Sequence, residues 1–309
     1  MLTSTGKVIH MTRMSQGLFA VSTTPFDAEG AQDLGVLAEG LERALAAGVD
    51  GILTQGATGE ALALTPQERS DQIRATVETV AGRVPVVVGC MAYRPEDAVS
   101  AIREAARAGA AAAMVTPSYY GGVAAAVAVE ALHFVLERSE LPVMVYNNPH
   151  STGVDLLPQD LVPLLAHDSF WSVKETSGAA TRVVELRDAL GDSVDVFVGA
   201  DGIALEGFAQ GASGWVAASA YLAPAACVRL WSLARDGDWN EAVALWGRLG
   251  VPLRQIEGSP AFISLIKQGL GVLGLPQGPV RLPLPTAPAE AVATVVEAVN
   301  ILEQEAQNV

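Results

Sequence analysis

The stretch "VPVVVGCMAYRPEDAVSAIREAARAGAAAAMVTP", residues 84–117, decides the fold. Its ends, "VPVVVGC" (84–90) and "AAAMVTP" (111–117), are short and almost continuously apolar. Strands buried on both faces of a parallel sheet have that pattern. Between them "RPEDAVSAIREAARAG" reads as a helix, with Pro95 in its first turn and Gly109 as its stop. The whole is one strand–helix–strand unit.

The unit repeats in both directions. Further apolar runs are "GLFAVST" (17–23), "VDGILTQG" (49–56), "LPVMVYN" (141–147), "FWSVKET" (170–176), "VDVFVGA" (194–200) and "ASGWVAA" (212–218). Their centres lie about 25–35 residues apart, the last gap being shorter, which suits one strand and one helix each. In "DLGVLAEGLERALAAG" (33–48), Leu34, Leu37, Leu41 and Leu45 share a helical face, and Gly48 ends it. "LTPQERSDQIRATVETVAG" (64–82) opens with Thr65 as N-cap, Pro66 at the first helical position and Glu68 closing a capping box. Eight such units predict an α/β fold, a (β/α)8 TIM barrel. An open doubly wound sheet would need a Gly-rich dinucleotide turn after the first strand, and none follows.

Beyond residue 222 the strand pattern stops. Residues 224–257, 259–274 and 288–307 read as three amphipathic helices, a C-terminal three-helix extension. The expected division is an N-terminal tail (1–16), the barrel (17–222) and the helical extension (223–309).

Bulk composition narrows the function. Of 309 residues, 50% are hydrophobic and 17% charged, enough for a large core. A net charge of −15 argues against nucleic acid and anionic membrane as partners. No apolar run is long enough to span a bilayer, and the first residues lack the apolar core of a secretory signal; a cytoplasmic location is expected. Cys90 and Cys227, the only cysteines, are too far apart in sequence to suggest a disulfide framework, and His10, His133, His150 and His167 show no ligand spacing, so no metal is expected.

Barrel enzymes build their sites at the C-terminal strand ends. Those ends carry Ser22, Thr23 and Thr24, "GATGE" (56–60), "PSYYGG" (117–122), "YNNPHSTG" (146–153), Lys174, "GAD" (199–201) and "AASAY" (217–221). His150 reads as a solvated loop residue. The chain has three lysines, Lys7, Lys174 and Lys267, against sixteen arginines. A lysine inside an apolar strand therefore asks for a role beyond charge. A lysine amine condenses with a ketone or aldehyde to give a Schiff base, an electron sink that needs no cofactor. Desolvation favours the neutral, nucleophilic amine. Tyr146 is placed to move protons, and Gly56, Ala57, Thr58 and Gly59 offer closely spaced backbone N–H groups for a carboxylate. On spacing alone, a strand-end lysine is more often a snorkelling or ion-paired residue, and the turn glycines are needed anyway.

Together the motifs "GVDGILTQGATGEALALTPQER", "VMVYNNPHSTGVDL", "VKETSG" and "VFVGADGIALEGFAQGASGWV" resemble the dihydrodipicolinate synthase/N-acetylneuraminate lyase family of class I aldolases, from about residue 17 to the end. The resemblance implies a (β/α)8 barrel acting on a 2-oxo acid, typically pyruvate, as a homotetramer or homodimer. It assigns Lys174 as the Schiff-base lysine, Tyr146 as the acid/base, Ala57 and Thr58 to the carboxylate-binding turn, and Gly199 and Val216 to the site lining. Tyr119 resembles a tyrosine that reaches across a dimer interface to complete a hydroxyl relay. Two residues depart from the pattern. Ala57 replaces a hydroxyl that links the two tyrosines in the synthase, and Ser151 stands where the synthase carries a carboxylate-binding arginine. The expected function is therefore a 2-oxo acid lyase, by aldol cleavage or condensation or by dehydration or deamination. Dihydrodipicolinate synthase activity, pyrroline-4-hydroxy-2-carboxylate deaminase activity and non-catalytic 2-oxo acid binding are the alternatives.

Overall fold

In the computed structural model, which describes residue 14 and residues 16–307, eight parallel strands close into a barrel in sequence order. They are β1 (Gly17–Val21), β2 (Gly51–Thr54), β3 (Val86–Gly89), β4 (Ala112–Val115), β5 (Val143–Asn147), β6 (Phe170–Glu175), β7 (Asp195–Val198) and β8 (Gly214–Ala217), and β8 pairs back onto β1. Every expected apolar run holds one of them. The helices are α1 (Leu34–Ala46), α2 (Pro66–Val80), α3 (Pro95–Ala108), α4 (Ala125–Arg138), α5 (Pro149–Thr152), α6 (Pro158–Leu161), α7 (Arg182–Leu190), α8 (Ala204–Ala209), α9 (Ser219–Leu222), α10 (Pro224–Asp236), α11 (Trp239–Glu257), α12 (Phe262–Val272) and α13 (Ala289–Gln307). None of the described helices is long and apolar enough to cross a membrane.

The local signals act as expected. Thr65 caps α2, and its capping box with Glu68 is complete. Gly109 ends α3 at φ 96°, a left-handed conformation that a side chain would strain. The single helix expected over 224–257 is instead two, because Gly237 at φ 86° terminates α10. Helix α10 packs on β1 and α1 and so takes the eighth place in the outer ring, leaving α11, α12 and α13 as the appended helices.

Strand alternation splits the core in two. One set of side chains, including Leu18, Ile52, Val88 and Val173, packs outward against the helices. The other, including Phe19, Leu53, Met114, Met144 and Phe197, fills the barrel. Phe19, Trp171 and Phe197 stack there with centroids 5.6–6.5 Å apart. Gly51 makes room for this stack, since a Cβ there would meet the Phe19 ring at 2.2 Å.

The appended helices are tied to the β2–α2 connection by buried charge. Lys267 of α12 donates to Glu60 Oε1 (2.8 Å) and to the carbonyls of Thr24 and Pro279 (2.9 Å each). Arg281 donates its backbone N–H to Glu60 Oε2 (2.8 Å) and grips both oxygens of Glu68 (2.6 and 2.8 Å). That bidentate pair pulls the Glu68 carboxyl down to about 2. Glu68 thus contributes stability present above its ordinary value of 4.5 and lost as pH falls through about 2.

Candidate active site

Lys174 and Tyr146 are register partners on β6 and β5. Their neighbours Val173 and Val145 pack outward, so both residues turn toward the barrel axis. Each is buried, and the Lys174 ammonium nitrogen stands 4.3 Å from the centre of the Tyr146 ring. The next pair in register, Asn147 and Glu175, faces outward and is clamped. Asn147 Nδ2 donates to Glu175 (2.9 Å) and Asp155 (2.9 Å), and buried Arg182 holds both oxygens of Asp155 (2.8 and 3.0 Å). The Arg182 guanidinium lowers Asp155 below the usual carboxylate range, so this clamp is charged at neutral pH. It fixes the two strand ends that carry Lys174 and Tyr146.

Above them lies a cavity of about 790 Å³. Ala57, Thr58, Tyr146, Ser151, Lys174, Gly199 and Val216 all line it. Gly56, Gly59 and Tyr119 do not. Gly56 packs toward Leu53 and Val21, and the Gly59 N–H is taken by the Gly56 carbonyl (3.0 Å). Tyr119 is half-buried against Tyr93, with ring centroids 6.3 Å apart. Of the four residues of "GATG", Ala57 and Thr58 are therefore the two that line the cavity. The N–H groups of Ala57 and Thr58 have no acceptor among the described residues, and Thr58 adds a hydroxyl.

This turn is held from behind. Gln55 and Glu60, which flank it, both sit at positive φ (56° and 54°), an uncommon conformation for non-glycine residues. Thr24 Oγ1 donates to the Gly59 carbonyl (2.6 Å), and the Gln72 amide joins Thr24 to Thr54. Ser22 bonds Thr54 (3.2 Å) and Thr23 bonds Gln277 (2.6 Å). The hydroxyls after the first strand thus support the turn and do not line the cavity. Gly89 adds a steric condition, since a Cβ there would come within 1.9 Å of the Gln55 carbonyl oxygen.

Four further cavity residues carry polar or acidic groups that the sequence does not single out as site residues, and His150 is solvent-exposed as expected. Asn148 is buried and donates to the Tyr146 phenol (2.7 Å). Thr176 carries a buried hydroxyl with no partner. His150 is exposed but borders the cavity, with Nε2 3.1 Å from the Ser177 carbonyl. The other two are acids. Asp201 is fully enclosed and accepts from Trp215 Nε1 (3.0 Å) and the Ser219 N–H (2.9 Å). Burial raises its pKa, and nearby Lys174 opposes that rise. Glu257 closes α11 and accepts from the backbone N–H groups of Asp201 (3.0 Å) and Gly202 (2.6 Å). Burial and the Asp201 charge push it up to about 7, against those two donors and Lys174. Only "GAD" signalled Asp201; nothing local signals Glu257, 56 residues away.

The Glu257 shift predicts a pH dependence. Between its ordinary value of 4.5 and about 7, the native state holds a proton that the unfolded chain releases. The associated stability is present below 4.5 and lost as pH rises through about 7. Thermal melts of the wild type from about pH 5 to pH 8 are expected to fall in midpoint more than those of Glu257→Gln. Parallel curves would contradict the assignment.

Over residues 14–302 the chain matches the family model described as "Dihydrodipicolinate synthetase family". The chain belongs to the dihydrodipicolinate synthetase family. It is an enzyme, a lyase of the class I aldolase type. Among similar proteins, a 4-hydroxy-tetrahydrodipicolinate synthase from Xanthomonas axonopodis pv. citri is 36% identical over 83% of this chain and 85% of its own length. Dihydrodipicolinate synthase from Aquifex aeolicus is 27% identical in sequence with a TM-score of 0.87, over 92% of this chain and 97% of that one. The chloride-inhibited dihydrodipicolinate synthase from Acinetobacter baumannii, solved with pyruvate, is likewise 27% identical with a TM-score of 0.87, covering 94% and 99% of the two chains. In this family member the position expected to hold an arginine is Ser151, exposed at the cavity edge.

Proposed function

We propose that the enzyme acts on a 2-oxo acid through a Schiff base on Lys174, splitting or eliminating a group beyond the imine carbon. The observation that carries this is the pairing of Lys174 with Tyr146 in register, beside the two open N–H groups of Ala57 and Thr58. The substrate carboxylate takes those donors and the Thr58 hydroxyl, which sets the 2-oxo carbon toward Lys174. The neutral amine adds to that carbon, and loss of water leaves an iminium. Asp201 and Glu257 border the same cavity, and a cation at Lys174 favours their ionised forms. In cleavage, Tyr146 removes the proton of the 4-hydroxyl, the C3–C4 bond breaks, and its electrons enter the enamine. Protonation at C3 and hydrolysis release pyruvate and free Lys174. Glycine at 199 is required beside the nucleophile, since a Cβ there would meet the Lys174 side chain at 2.8 Å and the Thr176 hydroxyl at 2.1 Å.

The relatives' names favour a second reading, 4-hydroxy-tetrahydrodipicolinate synthesis. Neutral Ser151 weighs against it, because a second acidic substrate would lose a charge-assisted contact. Dehydration or deamination uses the same imine. Tyr119 enters only through a second copy of the chain, as a homodimer or homotetramer would provide. A panel of 4-hydroxy- and 4-amino-2-oxo acids, assayed separately for pyruvate, water loss and ammonia, tests the reaction class. Released pyruvate marks cleavage; loss of water or ammonia with the skeleton intact marks elimination. Binding that persists in Lys174→Ala without any turnover by the wild type would overturn the enzymatic reading.

A further inference from the structure

We propose that Asn148 is the positioning residue for Tyr146, holding the phenol through a donated hydrogen bond and ending the proton path there. The inference rests on reading Tyr146 as the acid/base of a lysine imine.

Asn148 lies two residues after Tyr146, at the start of α5, and is 8% exposed. Its second contact favours one amide orientation, the Ser151 N–H being shared between the Asn148 backbone carbonyl (3.1 Å) and its side chain. Ser151 N–H can only donate, and it reaches Asn148 Oδ1 at 3.3 Å. Nδ2 is therefore the atom that meets the phenol oxygen at 2.7 Å. Two consequences follow. A donor aimed at the phenol oxygen holds the hydroxyl in one orientation and leaves its free side to the cavity. An amide N–H gives but does not take a proton, so nothing passes from Tyr146 through Asn148. The phenol's own hydrogen finds no acceptor among the described protein groups. Its proton then exchanges only on the cavity side, with the substrate or with water beside it. Position 57, which also lines the cavity, is alanine and offers no side-chain donor or acceptor. Asn148 is the one side chain among those described that bonds the phenol.

The test uses pyruvate and the full-length protein. Imine–enamine exchange needs a base at C3; with Tyr146 taken as that base as well as the acceptor of the 4-hydroxyl proton, enzyme-dependent deuterium uptake into the pyruvate methyl in D2O reads its phenol. Two variants keep a side-chain oxygen that caps α5. Asn148→Ser is too short to reach the phenol, and Asn148→Asp presents an acceptor in place of the donor. Exchange at saturating pyruvate is expected to slow on the order of tenfold or more in Asn148→Ser, and further in Asn148→Asp. The acid limb of its pH profile should move to higher pH in Asn148→Asp. Half-saturation by pyruvate and borohydride capture of the imine should stay within about threefold of wild type, since Lys174 and the carboxylate turn are untouched. A purely structural role would move melting and binding together and leave the pH profile in place. Wild-type exchange rates in both variants, with imine capture intact, would overturn the inference about Asn148 alone. Failure of the wild type to capture pyruvate would overturn the Schiff-base reading itself, and this inference with it.

Discussion

Lys174→Ala is expected to lower kcat/KM on the order of 10⁴-fold or more while leaving the protein as stable as wild type, or more so. The activity loss follows because no other described amine borders the cavity with Tyr146 and the open N–H pair; the only other described lysine, Lys267, is committed to Glu60. The stability expectation comes from burial. Lys174 is 6% exposed, and among the described residues its side chain makes no hydrogen bond or ion pair, only the contact with the Tyr146 ring face. A buried amine so placed is held for chemistry at the expense of solvation. Lys174→Met, which keeps the volume, should separate the effects best: turnover gone, denaturation midpoint unchanged or raised. A variant that both unfolds and fails to turn over would point to a structural lysine.

Lys267→Met should behave in the opposite way, costing about 3–5 kcal/mol of stability. Its side chain is 1% exposed and that of Glu60 0%. Removing the ammonium leaves a buried carboxylate whose one remaining hydrogen bond among the described residues is from the Arg281 N–H (2.8 Å), and takes the donor from the Thr24 and Pro279 carbonyls. Burial lowers the Lys267 pKa, and the Glu60 carboxylate opposes that shift. Replacing both partners, as Lys267→Met with Glu60→Gln, should recover a large part of the loss. The single variant should also raise KM for the 2-oxo acid, because Glu60 ends the turn that presents Ala57 and Thr58. Urea denaturation and steady-state kinetics read the two effects. Equal losses in the single and double variants would show that the charge pair is not what holds the turn.

The barrel was legible because a strand buried on both faces leaves little freedom in residue choice. All eight apolar runs became strands, and Thr65, Glu68 and Gly109 marked helix ends by local rules. Lys174 stood out for a related reason, a rare charge where the pattern demanded carbon. What stayed hidden depends on long-range meetings. Glu60 and Lys267 are 207 positions apart, and Asp201 and Glu257 are 56 apart, so no window of sequence joins them. His133 and His167, whose sequence spacing shows no ligand pattern, lie 2.7 Å apart at their ring nitrogens. Asn148 was hidden differently. It sits in "YNNPHSTG" as an ordinary turn former, and only the fold shows that its amide reaches back to the phenol. The break at Gly237 was readable from its residue type but was outweighed by the apolar periodicity on either side.

The proposed reaction turns on an imine between Lys174 and a 2-oxo acid. Borohydride reduction in the presence of pyruvate, followed by peptide mapping, tests it most directly. One reduced pyruvyl group per chain is expected, located on Lys174 and absent from Lys174→Ala. Folded wild-type protein that gains no adduct, or gains it on Lys7 or Lys267, would contradict it.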